Sequence, residues 1–182
     1  DAETQQMLDL RRTDYLIASR YLKEARGFGL PPDREAQGLL LLGKSLHESN
    51  QFTEGIEVLD ELLTAKLEQN SAVIWQVHGV LGETCLLMPF PMLEKALAHF
   101  DALLVASDLP PGMRANALVL RATALSRLGR FNEARAALQA VPSDPADPIS
   151  LPLAKAELTL DEADATDKDT AGINRDEAAS SE

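Results

Sequence analysis

The chain has 182 residues, enough for one domain or a short repeat array with a sizeable core; 45 % are hydrophobic and only 4 % aromatic. Ala and Leu dominate, the composition of helices packed on helices; a β-sandwich draws on β-branched and aromatic residues. The formal charge of −12 repels phosphate backbones and anionic lipid, which argues against nucleic acid or a membrane surface as partner.

The single cysteine, Cys85, excludes an internal disulfide and any multi-cysteine metal site. Uninterrupted apolar runs such as Leu39 to Leu42 are only a few residues long, far too short for a transmembrane helix. The chain opens on Asp1 with no signal peptide, so a processed or partial protein is expected. The cytoplasm is the default compartment. An extracytoplasmic one follows if a signal or anchor preceded Asp1.

Taken in order, the apolar spacing predicts helices over 4–11 and 15–26, then 34–48 with 52–66, 71–87 with 91–107, and 113–128 with 132–141. Ser49-Asn50, Met88 to Pro91 and Gly129-Arg130 read as the turns inside the pairs, and Pro31-Pro32 and Pro110-Pro111 as the ends of second helices. From Pro142 the text changes. Four prolines, at 142, 145, 148 and 152, mark 142–152 as a linker. Residues 142 to 182 carry a net charge of −8 against −4 for the preceding 141. After a short amphipathic run, Leu153 to Leu160, Ile173 is the one large aliphatic residue, so the acidic tail of 153–182 is expected to be disordered beyond that run.

The body repeats. Leu30 to Phe52 aligns with Leu109 to Phe131 at an offset of 79 without a gap, pairing Pro31/Pro110, Pro32/Pro111, Leu39/Leu118, Leu46/Leu125 and Phe52/Phe131. That offset is two units of helical-hairpin length. The unit between them carries Leu93, Ala96, Phe100 and Leu103. Its steps of three, four and three recur in Phe52, Gly55, Leu59 and Leu62, in Phe131, Ala134, Leu138 and Val141, and in Tyr15, Ala18, Leu22 and Ala25. On a helix each set forms one stripe whose second residue is Gly or Ala, small enough for a neighbouring helix to approach.

Leu42-Gly43, Leu46, Phe52, Gly55 and Leu59, with Ala122, Leu125, Gly129-Arg130-Phe131, Ala134 and Leu138, resemble the tetratricopeptide repeat; Trp75 and Gly79 resemble the aromatic and small residue of a first helix. The resemblance covers roughly residues 1–141. It implies an all-α fold of stacked antiparallel helical hairpins, a right-handed α-solenoid, with units at 1–30, 31–69, 70–109 and 110–141 and Gly43, Gly55, Gly79, Ala96, Ala122 and Ala134 as close-contact positions. The chain departs from the pattern in its spacing. The leading residues of the second helices, Tyr15, Phe52, Leu93 and Phe131, stand 37, 41 and 38 apart, longer than the usual unit of about 34, with an insertion around Leu86–Phe90.

Residues fit for chemistry are few. His47, His78 and His99 form no close ligand pair of the HExxH kind, so no metal is expected. His47 is expected near an exposed helix end, His78 packed or in a groove, and His99 facing outward. Cys85, among Leu86 and Leu87, reads as a buried inert thiol. No phosphate-cradling or nucleophile-elbow motif occurs, so neither an enzyme nor a cofactor is expected.

Binding has a better physical case. In stacked hairpins the first helices line the concave side. Counted round each first helix, the inward positions are Gln37, Leu40 and Lys44, then Gln76, Val80 and Glu83, then Asn116, Val119, Thr123 and Arg127. Aliphatic residues mixed with amides and cations suit an extended peptide or a helix of a partner protein. The alternative is a structural or oligomerising segment of a larger protein, membrane-anchored or not, since an open solenoid end exposes apolar surface.

Overall fold

A computed structural model describes residues 2–64, 71–142 and 150–179. Among these, all extended regular structure is helical: α1 (Ala2–Phe28), α2 (Glu35–Glu48), α3 (Phe52–Thr64), α4 (Ser71–Leu87), α5 (Leu93–Val105), α6 (Pro111–Arg127), α7 (Phe131–Gln139) and α8 (Ser150–Ala179). The chain divides into two compact units, Asp1–Ala106 and Ser107–Glu182.

In the first unit α2 packs on α3 and α4 on α5, and α1, α2 and α4 lie next to one another in that order. The core is made of the stripes read from the sequence. Leu39, Leu42 and Leu46 of α2 recur at helical spacing and are buried, as are Ile56, Leu59 and Leu62 of α3, the helix on which α2 packs. Val77, Leu81 and Cys85 of α4 meet Ala96, Phe100 and Leu103 of α5. Each fully buried Leu or Phe contributes about 1.5–3 kcal/mol relative to exposure, so these stripes hold the pairs together.

The small residues set how close the helices come. A Cβ added to Gly43 would lie 2.4 Å from Leu59 Cγ, and one added to Gly82 would lie 2.5 Å from Phe100 Cε1. Gly82, not Gly79, is therefore the small residue of the second pair, because at Gly79 the nearest atom to such a Cβ is Leu103 Cδ2 at 3.9 Å, ordinary contact. The register confirms the assignment: Gly43 to Gly82 is 39 residues, as is Leu46 to Cys85.

The turns repeat as well. After α2 the chain reverses at Asn50, φ 62°, with Gln51 N–H donating to Leu46 O at 2.8 Å; after α6 it reverses at Gly129, φ 74°, with Arg130 N–H donating to Leu125 O at 2.9 Å. Both are the left-handed helix stop that glycine and asparagine tolerate. Between α4 and α5 the insertion makes the loop two residues longer, yet the same bond survives, from Met92 N–H to Cys85 O at 2.9 Å.

Three expectations change. The expected first hairpin, 1–30, is one continuous helix, α1, not two, because nothing between Arg11 and Tyr15 breaks it: Arg12, Thr13 and Asp14 form no turn signal, and Thr13 Oγ1 donates to Asp9 O within the helix. Pro110 and Pro111 open α6 rather than closing α5, Pro111 standing in the first turn, where a missing N–H costs nothing. The helix after the proline-rich segment runs from Ser150 through to Ala179, well past Leu160; most of the linker, residues 143–149, lies outside the described residues.

In the second unit α6 packs on α7, and α8 packs on both. Ala154 and Leu158 of α8 are buried, in the neighbourhood of Ala122 of α6 and Leu138 of α7. Ser126 Oγ donates to Asp161 Oδ2, and Arg135 pairs with Glu162. A chain segment read as tail thus covers the apolar side of the last pair.

Candidate functional site

In the first unit α2 and α4, the leading helices of successive pairs, run side by side and are joined by polar side chains. Lys44 Nζ donates to Gln76 Oε1, and Gln76 Nε2 donates to Ala72 O at 3.1 Å. His47 Nδ1 lies 2.9 Å from Thr84 Oγ1, which donates to Val80 O at 2.6 Å. Glu83 Oε2 stands 4.0 Å from His47 Nε2. Lys44, Gln76, Val80 and Glu83 are half-buried and Gln37 is exposed.

Five of the six residues expected on this face thus keep some accessible surface, and Lys44 and Gln76 are brought into direct contact. Leu40 is the exception. At 5 % exposure it is packed between helices and offers nothing to a ligand. His47 is also more enclosed than expected, since its ring is held by Thr84 and tilted against Phe52 with centroids 6.0 Å apart. In the second unit Asn116, Val119, Thr123 and Arg127 follow one another along α6 at steps of three and four; Asn116 and Arg127 are exposed, and Thr123 Oγ1 donates to Val119 O at 3.2 Å.

The residue that sequence reasoning misplaced is His99. It is 9 % exposed, and its Nδ1 lies 3.1 Å from Nδ1 of His78 on the neighbouring helix. One ring must donate and the other accept, so the accepting ring is neutral in this arrangement. His99 Nε2 is buried without a partner among the described residues. The arrangement that leaves no buried N–H unpaired has His99 Nδ1–H donating to His78, with Nε2 carrying only a lone pair. Burial, then the neighbouring His78, push the His99 pKa down to about 4, the nearby Asp60 opposing them and Lys95 adding to them; burial lowers His78 too. A lone His beside Phe100 gives no sign of this in sequence, because the partner is 21 positions away on another helix.

Cys85 is fully buried, and burial raises its pKa, so it is a protonated thiol rather than a nucleophile. Among the described residues no three His, Cys, Asp or Glu side chains converge as a metal site, and no helix is long and apolar enough to cross a membrane. The polar strip between α2 and α4 offers hydrogen bonds and charge of both signs.

No family model, curated protein or solved structure matches this chain.

Proposed function

We propose that this chain is a tetratricopeptide-like α-solenoid of stacked antiparallel hairpins that binds a segment of another protein and catalyses no reaction. One observation carries the reading: leading helices of successive pairs stand side by side, with Lys44, Gln76 and Glu83 half-accessible between them. Such a strip presents donors and acceptors at regular intervals to an extended peptide, and Val80 adds an apolar contact. The close approach of Gly43 to Leu59 and of Gly82 to Phe100 supports the hairpin packing. So does the equivalence of the turns at Asn50 and Gly129. On α6, Asn116, Val119, Thr123 and Arg127 form the corresponding face in the second unit.

The test is capture with the full chain, identification of the captured protein by mass spectrometry, and titration of that protein against wild type and Lys44→Glu. Loss of binding with an unchanged circular dichroism spectrum is the expected result. An unchanged affinity for Lys44→Glu and Gln76→Ala alike refutes this face as the site.

A further inference from the structure

Helix α1 is apolar on more than one side. The side it turns to the rest of its unit carries half-buried Tyr15, Ala18 and Leu22 together with ion pairs: Arg11 pairs with Glu48 at 3.0 Å, Lys23 with Glu54 at 2.7 Å, and Arg26 with Glu61. Gln51 Nε2 donates to Ser19 Oγ, which is fully buried there. A second apolar side points away. Met7, Leu10, Ile17, Tyr21 and Phe28 are between 44 % and 84 % exposed. Scattered exposed hydrophobes are ordinary, but a continuous stripe along a helix held to its own unit by ion pairs marks an interaction surface.

The stripe has a defined register. Glu3, Met7, Leu10, Asp14, Ile17, Tyr21, Glu24 and Phe28 alternate steps of four and three. This is the spacing with which one helix seats another along a shared seam. From Met7 to Phe28 it runs about 32 Å, at 1.5 Å per residue. Ile17, Arg20, Tyr21 and Glu24 border a hollow of ≈ 330 Å³ on it.

The interspersed charges decide the occupant. Three carboxylates, Glu3, Asp14 and Glu24, lie on the seam, and two cations, Arg11 and Arg20, flank it, Arg11 being paired with Glu48. No ion pair engages Asp14 or Glu24 among the described residues. A second copy in parallel would set Asp14 on Asp14 and Glu24 on Glu24. An antiparallel copy that matches Ile17 with Tyr21 and Leu10 with Phe28 sets Asp14 on Glu24. The other antiparallel register, Leu10 on Tyr21, buries Asp14 against Ile17 and Glu24 against Met7. Each of these self-pairings leaves carboxylates opposed or unpaired at the seam. A helix with Lys or Arg at those points would neutralise both.

We propose that the outward face of α1 docks a basic amphipathic helix of another protein, its apolar residues seated on Leu10, Ile17, Tyr21 and Phe28 and its cations on Asp14 and Glu24. This surface is separate from the strip between α2 and α4 and does not depend on it.

The probe is a designed three-heptad peptide with Leu along its seam and Lys flanking it, titrated by fluorescence anisotropy against the full chain. Wild type binds it, and a scrambled peptide of the same composition binds far more weakly. Asp14→Lys/Glu24→Lys weakens binding by about tenfold or more and confers binding of the Glu-flanked version of the peptide. Ile17→Asp abolishes binding with helicity retained. The same charge change elsewhere, Asp33→Lys/Glu57→Lys, shifts affinity by less than about twofold, because exposed charges away from the seam are screened. Lys44→Glu leaves it unchanged, which separates this site from the other. Three outcomes overturn the proposal: no binding by wild type, equal binding of the scrambled peptide, or a stable dimer by light scattering that Ile17→Asp dissociates.

Discussion

Gly43 of α2 sits under Leu59 of α3 so closely that a methyl group on it would lie 2.4 Å from both Leu59 Cγ and Cδ2. Leu59 is fully buried, so it has no solvent side into which to retreat. The distance between the two helices is therefore set by the absence of one carbon atom.

The same substitution at two glycines should give opposite results. Gly43→Ala overpacks the contact and is expected to cost about 1–3 kcal/mol. Gly79→Ala meets only Leu103 Cδ2 at 3.9 Å and should stabilise by about 0.5–1 kcal/mol through helix propensity. Urea denaturation of both variants checks this. Equal destabilisation would mean that Gly79 and not Gly82 faces the neighbouring helix.

Leu40 gives a second test of which residues are structural. Its burial predicts that Leu40→Ala costs about 2–5 kcal/mol, whereas Gln37→Ala, exposed three residues earlier, should stay within about 0.5 kcal/mol. Thermal unfolding distinguishes the two.

The buried histidine pair makes stability depend on pH with a definite sign. His99 has an ordinary value of 6.5 and about 4 in the fold, so between those values the unfolded chain binds a proton that the folded chain refuses. Stability is full above pH 6.5, falls as pH drops towards 4, and levels off below. The full loss from this group is on the order of 3 kcal/mol. His99→Leu should flatten that part of the profile measured by denaturant melts from pH 7.5 to 4.5. A slope of undiminished size in the variant would place its origin in other groups.

Helix α8 predicts a dependence of the second unit on a segment rich in acidic residues. Leu158→Asp buries a charge against the α6 and α7 pair, and amide hydrogen exchange in 111–139 should accelerate while that in 35–64 does not. Protection unchanged in 111–139 would show that α8 contributes nothing to that pair.

Much of this was legible from residues alone. The offset of 79 identified two equivalent pairs, and it extends to the turn, where Asn50 and Gly129 take the same left-handed conformation. The stripes of Leu39, Leu42 and Leu46 and of Ala96, Phe100 and Leu103 follow from helical periodicity, which is local information. Local pattern also marked Cys85 as buried. What periodicity leaves open is which of two nearby small residues takes the contact. Gly79 and Gly82 are three apart on one helix, and only the rotation of α4 against α5 selects Gly82. The same holds for His99, whose solvent-facing or buried state depends on a ring from another helix. Composition read Leu153 to Leu160 as a short amphipathic run and the chain beyond it as disordered, because Ile173 is the one large aliphatic residue there. It could not register that Ala154 and Leu158 need only a small apolar patch already exposed by α6 and α7. Sequence determined the helices and their apolar stripes, since both depend on neighbours three and four residues away. Tertiary structure decided which side of α1 faces outward, because ion pairs to Glu48, Glu54 and Glu61, distant in the chain, turn Tyr15, Ala18 and Leu22 inward and leave Leu10, Ile17 and Tyr21 exposed.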